Sequence, residues 1–229
     1  MDSYRFERGT WEWGTDPINN VIVPLVVAPP FFFYLLTKLR QLAIAHHELK
    51  SVASTDALTS CLNRRAFTAV VDGYLERMSN QNAPVEGALL VIDVDHFKWV
   101  NDRFGHLQGD DALRIIARAI KDSVRDGDPV GRIGGEEFGV FLVGVNSIGS
   151  ATMAERIRAA ISASSFAPSG EPYGLSASVG GVTFDSGSSY QDLFQYADQR
   201  LYVAKRSGRN RVDIVPFGNP TYNSVPQLH

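Results

Sequence analysis

Arg132-Ile133-Gly134-Gly135-Glu136-Glu137-Phe138-Gly139-Val140-Phe141-Leu142 reads as two short β-prone runs, Pro129–Ile133 and Phe138–Val143, joined by a tight turn. A Gly-Gly pair suits such a hairpin because both turn residues can take positive φ without steric cost. The missing side chains also let a bulky ligand approach the backbone closely. Glu136 and Glu137 then stand at the hairpin's edge, where they can ligate a hard cation or accept a proton. Neighbours on a strand point to opposite faces, so the two glutamates need not serve one metal, and the role of Glu137 stays open. Taken alone, a solvated acidic turn is the plainer account of these residues.

Upstream lies Ala88-Leu89-Leu90-Val91-Ile92-Asp93-Val94-Asp95-His96-Phe97-Lys98. The apolar run predicts a strand buried on both faces that ends in two aspartates. Asp93 and Asp95 are two apart and face the same side of an extended chain. Carboxylates at the end of a buried strand are costly to desolvate unless a metal or hydrogen bonds compensate. Magnesium suits the place, since it takes one or two carboxylates and completes its shell with water and phosphate. Asp95 has a second reading, as the cap of the following helix. Further on, Leu113, Ile116, Ala117 and Ile120 recur at helical spacing and put Asp110 and Asp111 in that helix's first turns. Asp110 is favourable there as a charge near the helix N-terminus. It can also accept hydrogen bonds from the two N–H groups of guanine's Watson–Crick edge, with the Asn101 amide serving another polar edge of the purine.

With these residues in hand, the chain resembles the GGDEF family of diguanylate cyclases, in the Gly-Gly-Glu-Glu-Phe form of the signature. Four motifs follow the family's order. They are Asp56-Ala57-Leu58-Thr59 through Asn63-Arg64-Arg65-Ala66-Phe67, Asp93-Val94-Asp95-x-Phe97-Lys98 through Asp110, Gly134–Phe138, and Ala204-Lys205-Arg206-x-Gly208-Arg209-Asn210. The likeness runs from about Ser54 to Val215. Where the family usually reads Leu-Thr-Gly-Leu-Pro-Asn-Arg, this chain has Leu58-Thr59-Ser60-Cys61-Leu62-Asn63-Arg64, a departure that bears on turn geometry more than on chemistry.

The resemblance implies an α+β, ferredoxin-like fold shared with polymerase palms, with a mostly antiparallel central sheet and flanking helices. It implies a nucleotidyltransferase that condenses two GTP into cyclic di-GMP and releases two pyrophosphates, acting as a homodimer. Asp93, the Val94 carbonyl and Glu136 would hold Mg2+, with Mn2+ as a substitute. Glu136 would also take the 3′-hydroxyl proton, and Lys98 would offset charge developing on the phosphates. Asn101 and Asp110 would read guanine, His106 would contact the nucleotide, Gly134 and Gly135 would make room, and Lys205 with Arg209 would grip the triphosphate. Arg125 and Asp128, with Arg156 as a second contact, would bind the c-di-GMP product as an inhibitor.

The rest of the chain narrows the setting. A net charge of −3 gives no support to nonspecific nucleic-acid binding, and the lone Cys61 excludes an intramolecular disulfide. We expect a polar segment over 1–20, an apolar segment over 21–37, a stalk helix over 38–53, the catalytic domain over 54–216 and a tail over 217–229. Val21–Leu36 is an apolar run of 16 residues holding Pro24, Pro29 and Pro30, short of the ~20 a spanning helix needs. Acidic residues precede it and Lys38 and Arg40 follow. The positive-inside rule then sets the catalytic domain in the cytoplasm of a bacterium, with the run in the inner membrane. The alternative is a soluble cytoplasmic protein with the run buried at an oligomer interface. Leu39, Leu42, His46, Leu49 and Ala53 follow a 3-4-3-4 spacing that suits a parallel helical pair. Packing against the chain's own domain would use the same residues.

Overall fold

In the β-strand Gly87–Val94 (β4) every residue is buried, and its side chains divide by parity. Leu90, Ile92 and Val94 enter one hydrophobic core, while Leu89 and Val91 enter a second on the opposite face. A strand sandwiched between two cores needs apolar residues at both parities, which is why this stretch is a continuous apolar run.

The computed structural model describes residues 5–7, 10–12, 25–26, 28–41, 54–79, 86–184 and 188–218. The chain divides into two units, Met1–Ala53 and Ser54–His229. In the first, Arg5–Glu7 (β1) pairs antiparallel with Thr10–Glu12 (β2), and residues 28–41 form a helix (α1). Among the described residues no helix is long and apolar enough to cross a membrane. The expected stalk over 38–53 lies outside the described residues beyond 41, as does the expected tail beyond 218.

The second unit runs Leu62–Asn63 (β3), Arg64–Ser79 (α2), β4, Phe97–Phe104 (α3), His106–Asp122 (α4), Val130–Arg132 (β5), Glu137–Val143 (β6), Ser147–Ser162 (α5), Ala177–Phe184 (β7), Tyr190–Arg206 (α6) and Val212–Pro216 (β8). The strands form one sheet in the order β3-β5-β6-β4-β7-β8. The four central strands pair antiparallel, as expected. The outer pairs, β3 with β5 and β7 with β8, are parallel, so the sheet is mixed. Residues of α3, α4 and α5 pack into the first core and residues of α2 and α6 into the second. At Gly180 an added Cβ would sit 2.0 Å from the Leu201 backbone nitrogen. Glycine there lets α6 lie directly on the sheet and brings its C-terminal turn close to the end of β4.

Candidate active site

Asp93 belongs to the β4 parity that faces the second core, and the antiparallel register sets it opposite Glu137 on β6. Residues directly opposite in such a ladder project from the same face. Glu137 therefore stands on the same side of the sheet as Asp93, a placement that strand alternation alone does not reveal. Glu136 precedes β6 and lies in the turn, so the alternation expected between the two glutamates does not govern it. The Val94 N–H donates to the Glu136 carbonyl at 3.2 Å, tying the turn to the end of β4. From α6, Lys205 Nζ reaches Asp93 Oδ2 at 2.8 Å.

The electrostatics follow from this crowding. Burial pushes the Asp93 carboxyl above its ordinary range, although Lys205 works against the rise. Burial and then the charge of Asp93 raise Glu136, with Glu137 adding to it. Burial and Asp93 likewise raise Glu137. Half-buried carboxylates crowded beside another negative charge bind protons or cations in preference to standing bare. Among the described residues no three His, Cys, Asp or Glu side chains close into a ready cation cage. An all-oxygen donor set with few protein ligands nevertheless fits magnesium, which retains water and phosphate oxygens in its shell.

The turn is not built by left-handed glycines. Neither Gly134 nor Gly135 has positive φ, which corrects the expectation from the Gly-Gly pair. At Gly134 a Cβ would meet Glu137 Oε2 at 2.2 Å and displace that side chain, whereas Gly135 is open. The turn is instead clamped by Arg132, which donates to the Gly135 carbonyl at 3.1 and 2.6 Å and to both Asp56 oxygens at 3.2 and 3.3 Å. Asp56 also accepts the Thr59 N–H and hydroxyl at 2.9 and 2.7 Å. Burial pushes Asp56 up, but the Thr59 bonds and Arg132 outweigh it and hold the carboxyl below its ordinary range. The sequence marked Asp56 as part of a motif without showing this link. In the same loop Ser60 takes φ 55°, a left-handed position at the site of the family's glycine.

Asn101 lies on α3, and His106 and Asp110 lie in the first turns of α4. Gly109 lets the Asn101 side chain pack against α4. A Cβ at that position would fall 1.9 Å from Asn101 Oδ1, so the carboxamide lies against a bare backbone one residue before Asp110. His106 and Lys98 are exposed, and Asn101 and Asp110 are half-buried. Asp95 does not cap α3. The cap position is His96, with no side-chain hydrogen bond, and Asp95 is buried with its oxygens bonded elsewhere.

Comparison with known proteins gives the family. The family described as diguanylate cyclase, GGDEF domain, matches residues 53–211. The chain belongs to the GGDEF diguanylate cyclase family. It is 38% identical over 183 residues to the diguanylate cyclase DosC of Escherichia coli, a match covering 79% of this chain and 38% of DosC. The chain thus spans well under half the length of that relative. The coiled coil and GGDEF domain of DgcB from Caulobacter crescentus, solved with c-di-GMP, superposes with a TM-score of 0.68 at 28% identity, over 82% of this chain and 99% of DgcB's. An active GGEEF domain of a Vibrio cholerae diguanylate cyclase gives 0.61 at 32% identity, over 67% and 96%.

Arg125, Asp128 and Arg156, also expected from the GGDEF resemblance, lie apart, past the other end of α4, while Arg209 follows α6, its charge felt at Asp93. Asp128 is buried; it accepts the Arg125 N–H at 3.2 Å and the Val143 N–H at 3.4 Å. Arg125 is exposed. Arg156 donates through Nε to the Ser123 carbonyl at 2.9 Å and through a second nitrogen to the same oxygen. A cleft of about 350 Å³ lies beside this turn, lined by Lys121, Arg125, Asp128 and the Thr55–Leu62 loop.

Proposed function

We propose that the chain condenses two GTP into cyclic di-3′,5′-GMP. The observation that carries this is the convergence of Asp93, Glu136 and Lys205 at the ends of β4, β6 and α6. In each half-reaction a 3′-oxygen bonds to the α-phosphorus of the facing nucleotide. The bond from that phosphorus to the β-phosphate bridging oxygen breaks, and pyrophosphate leaves. Asp93, the Val94 carbonyl and Glu136 would hold Mg2+ or Mn2+, which supplies neutralisation of phosphate charge and acidification of the hydroxyl. Glu136 takes the hydroxyl proton, a role its raised proton affinity suits. Lys98 offsets charge on the phosphates, and Lys205 with Arg209 holds the triphosphate once Lys205 leaves Asp93. Gly135, where an added Cβ would meet nothing within 4 Å, leaves room for the nucleotide.

One domain presents one such cluster, so the reaction takes two domains face to face, supplied by a homodimer. Arg125 and Arg156 hold the c-di-GMP product as an inhibitor beside Asp128, since arginine matches phosphate and guanine bidentately. The exposed Phe31, Phe32, Phe33 and Leu36 of α1 support attachment of the N-terminal segment to a membrane; extraction that needs no detergent would count against it. Incubating the protein with GTP and Mg2+ and detecting the cyclic dinucleotide by mass tests the activity. Bound GTP with no product would leave a non-catalytic binding module. Asp110 explains the choice of base, because adenine's ring N1 would face its lone pairs. Asp110→Ser is expected to relax selectivity toward ATP in a competition assay.

A further inference from the structure

Asp95 is 6% exposed and carries more partners than any structural cap requires. Its Oδ1 accepts the Ser178 hydroxyl at 2.7 Å, and its Oδ2 accepts the Ser176 hydroxyl at 3.0 Å and the Asn210 N–H at 2.9 Å. Its own N–H donates to the Ser176 carbonyl at 2.9 Å. One carboxylate thus joins the end of β4 to the start of β7 and to the turn after α6.

That turn is unusual. Arg209 and Asn210 both have positive φ, 61° and 44°, a conformation that crowds an L-residue's Cβ against the following carbonyl oxygen. Asparagine tolerates it through local hydrogen bonding, and the Arg209 N–H closes the end of α6 by donating to the Ala204 carbonyl at 3.1 Å. The turn is also held from outside. The Asn210 backbone is bonded to Asp95, and Asn210 Oδ1 accepts from Arg158 at 2.7 Å and from the Ser162 hydroxyl at 3.0 Å. Arg209 rides on this anchored pair, and its positive charge is felt at Asp93.

We propose that Asp95 is a positioning residue for triphosphate recognition: by accepting the Asn210 N–H it holds the left-handed Arg209–Asn210 turn that aims Arg209 at the nucleotide's phosphates. This rests on the reading that the site binds GTP with Arg209 on its phosphates. Asp93 and Asp95 then divide the labour of one motif, the first facing the cation and the second setting the distance to the phosphate grip.

The test is calorimetric binding of GTP and of GMP, each with Mg2+, to the full chain and its variants. Wild type is expected to prefer GTP. Asp95→Ala is expected to weaken GTP about tenfold and leave GMP nearly unchanged, the loss of one charge-assisted phosphate contact. Asp95→Ala combined with Arg209→Ala is expected to be no worse than Arg209→Ala alone, because both remove one interaction. If Asp95→Ala does not fold, Asp95→Asn, which keeps an acceptor oxygen without the charge, is expected to lower the GTP-to-GMP ratio about threefold, a smaller loss because a neutral acceptor bonds more weakly. A purely structural role would weaken both nucleotides alike, and that result overturns the proposal, as does additivity of the two substitutions or an unchanged ratio in Asp95→Asn. Wild type that prefers GTP through Arg209 yet yields no cyclic dinucleotide would sink the cyclase reading and leave this one standing.

Discussion

At the ends of β4 and β6, burial raises the proton affinity of Asp93, Glu136 and Glu137, the charge of Asp93 raises both glutamates further, and Lys205 is bonded to Asp93. Past the far end of α4, Asp128 instead accepts two backbone N–H groups and Arg156 is bound to a helix-end carbonyl. The first region is left electrostatically unsettled by the protein alone. The second has its carboxylate already committed to holding a turn. A carboxylate in a functional motif is thus not always a ligand: the test is whether its lone pairs are already occupied.

The sharpest way to break that contrast is Glu136→Gln. Removing a repelling charge leaves folding intact, and loss of the proton acceptor is expected to cut GTP turnover at least about a hundredfold. A melting temperature that falls along with activity would show Glu136 to be as structural as Asp128. Next in size is Asp128→Ala, which strands two amides and is expected to cost about 1–3 kcal/mol, read by denaturant unfolding. Arg125→Ala is expected to leave stability unchanged while relieving inhibition by c-di-GMP. Equal inhibition in that variant would remove the second region's functional half.

The smallest effect is a pH dependence. Asp93, Glu136 and Glu137 hold protons more tightly folded than unfolded. Their contribution to stability is therefore fully present below the unfolded carboxylate range, about pH 4, and is lost as pH rises through the raised folded values. Mg2+ selects the ionised forms, so the melting-temperature gain on adding it is expected to grow from about pH 4.5 to about pH 7. A gain independent of pH would mean the cation binds elsewhere.

Much of this was legible in the chain because it is local. The Ala88–Asp93 run, the β5–β6 hairpin and the helices α2, α4, α5 and α6 follow from apolar spacing and turn residues over short windows. The parallel edges were not, since β3 contributes only Leu62 and Asn63 and finds its partner at Gly131 and Arg132. The separate helix α3 was hidden too, because it opens at a left-handed His96 with no capping side chain. The Asp95 misreading has the same origin: its partners lie 81, 83 and 115 residues away, and no nearby pattern encodes them. Glu137 became interpretable only through its register with Asp93.

The Lys205–Asp93 bond carries a last consequence. On the proposed reading Asp93 would hold the cation and Lys205 the phosphates, so each role would require the Lys205–Asp93 pair to separate. Each incoming partner would then release the residue the other needs, and nucleotide and cation would bind cooperatively: either alone would bear the full cost of parting the pair, and together they would share it.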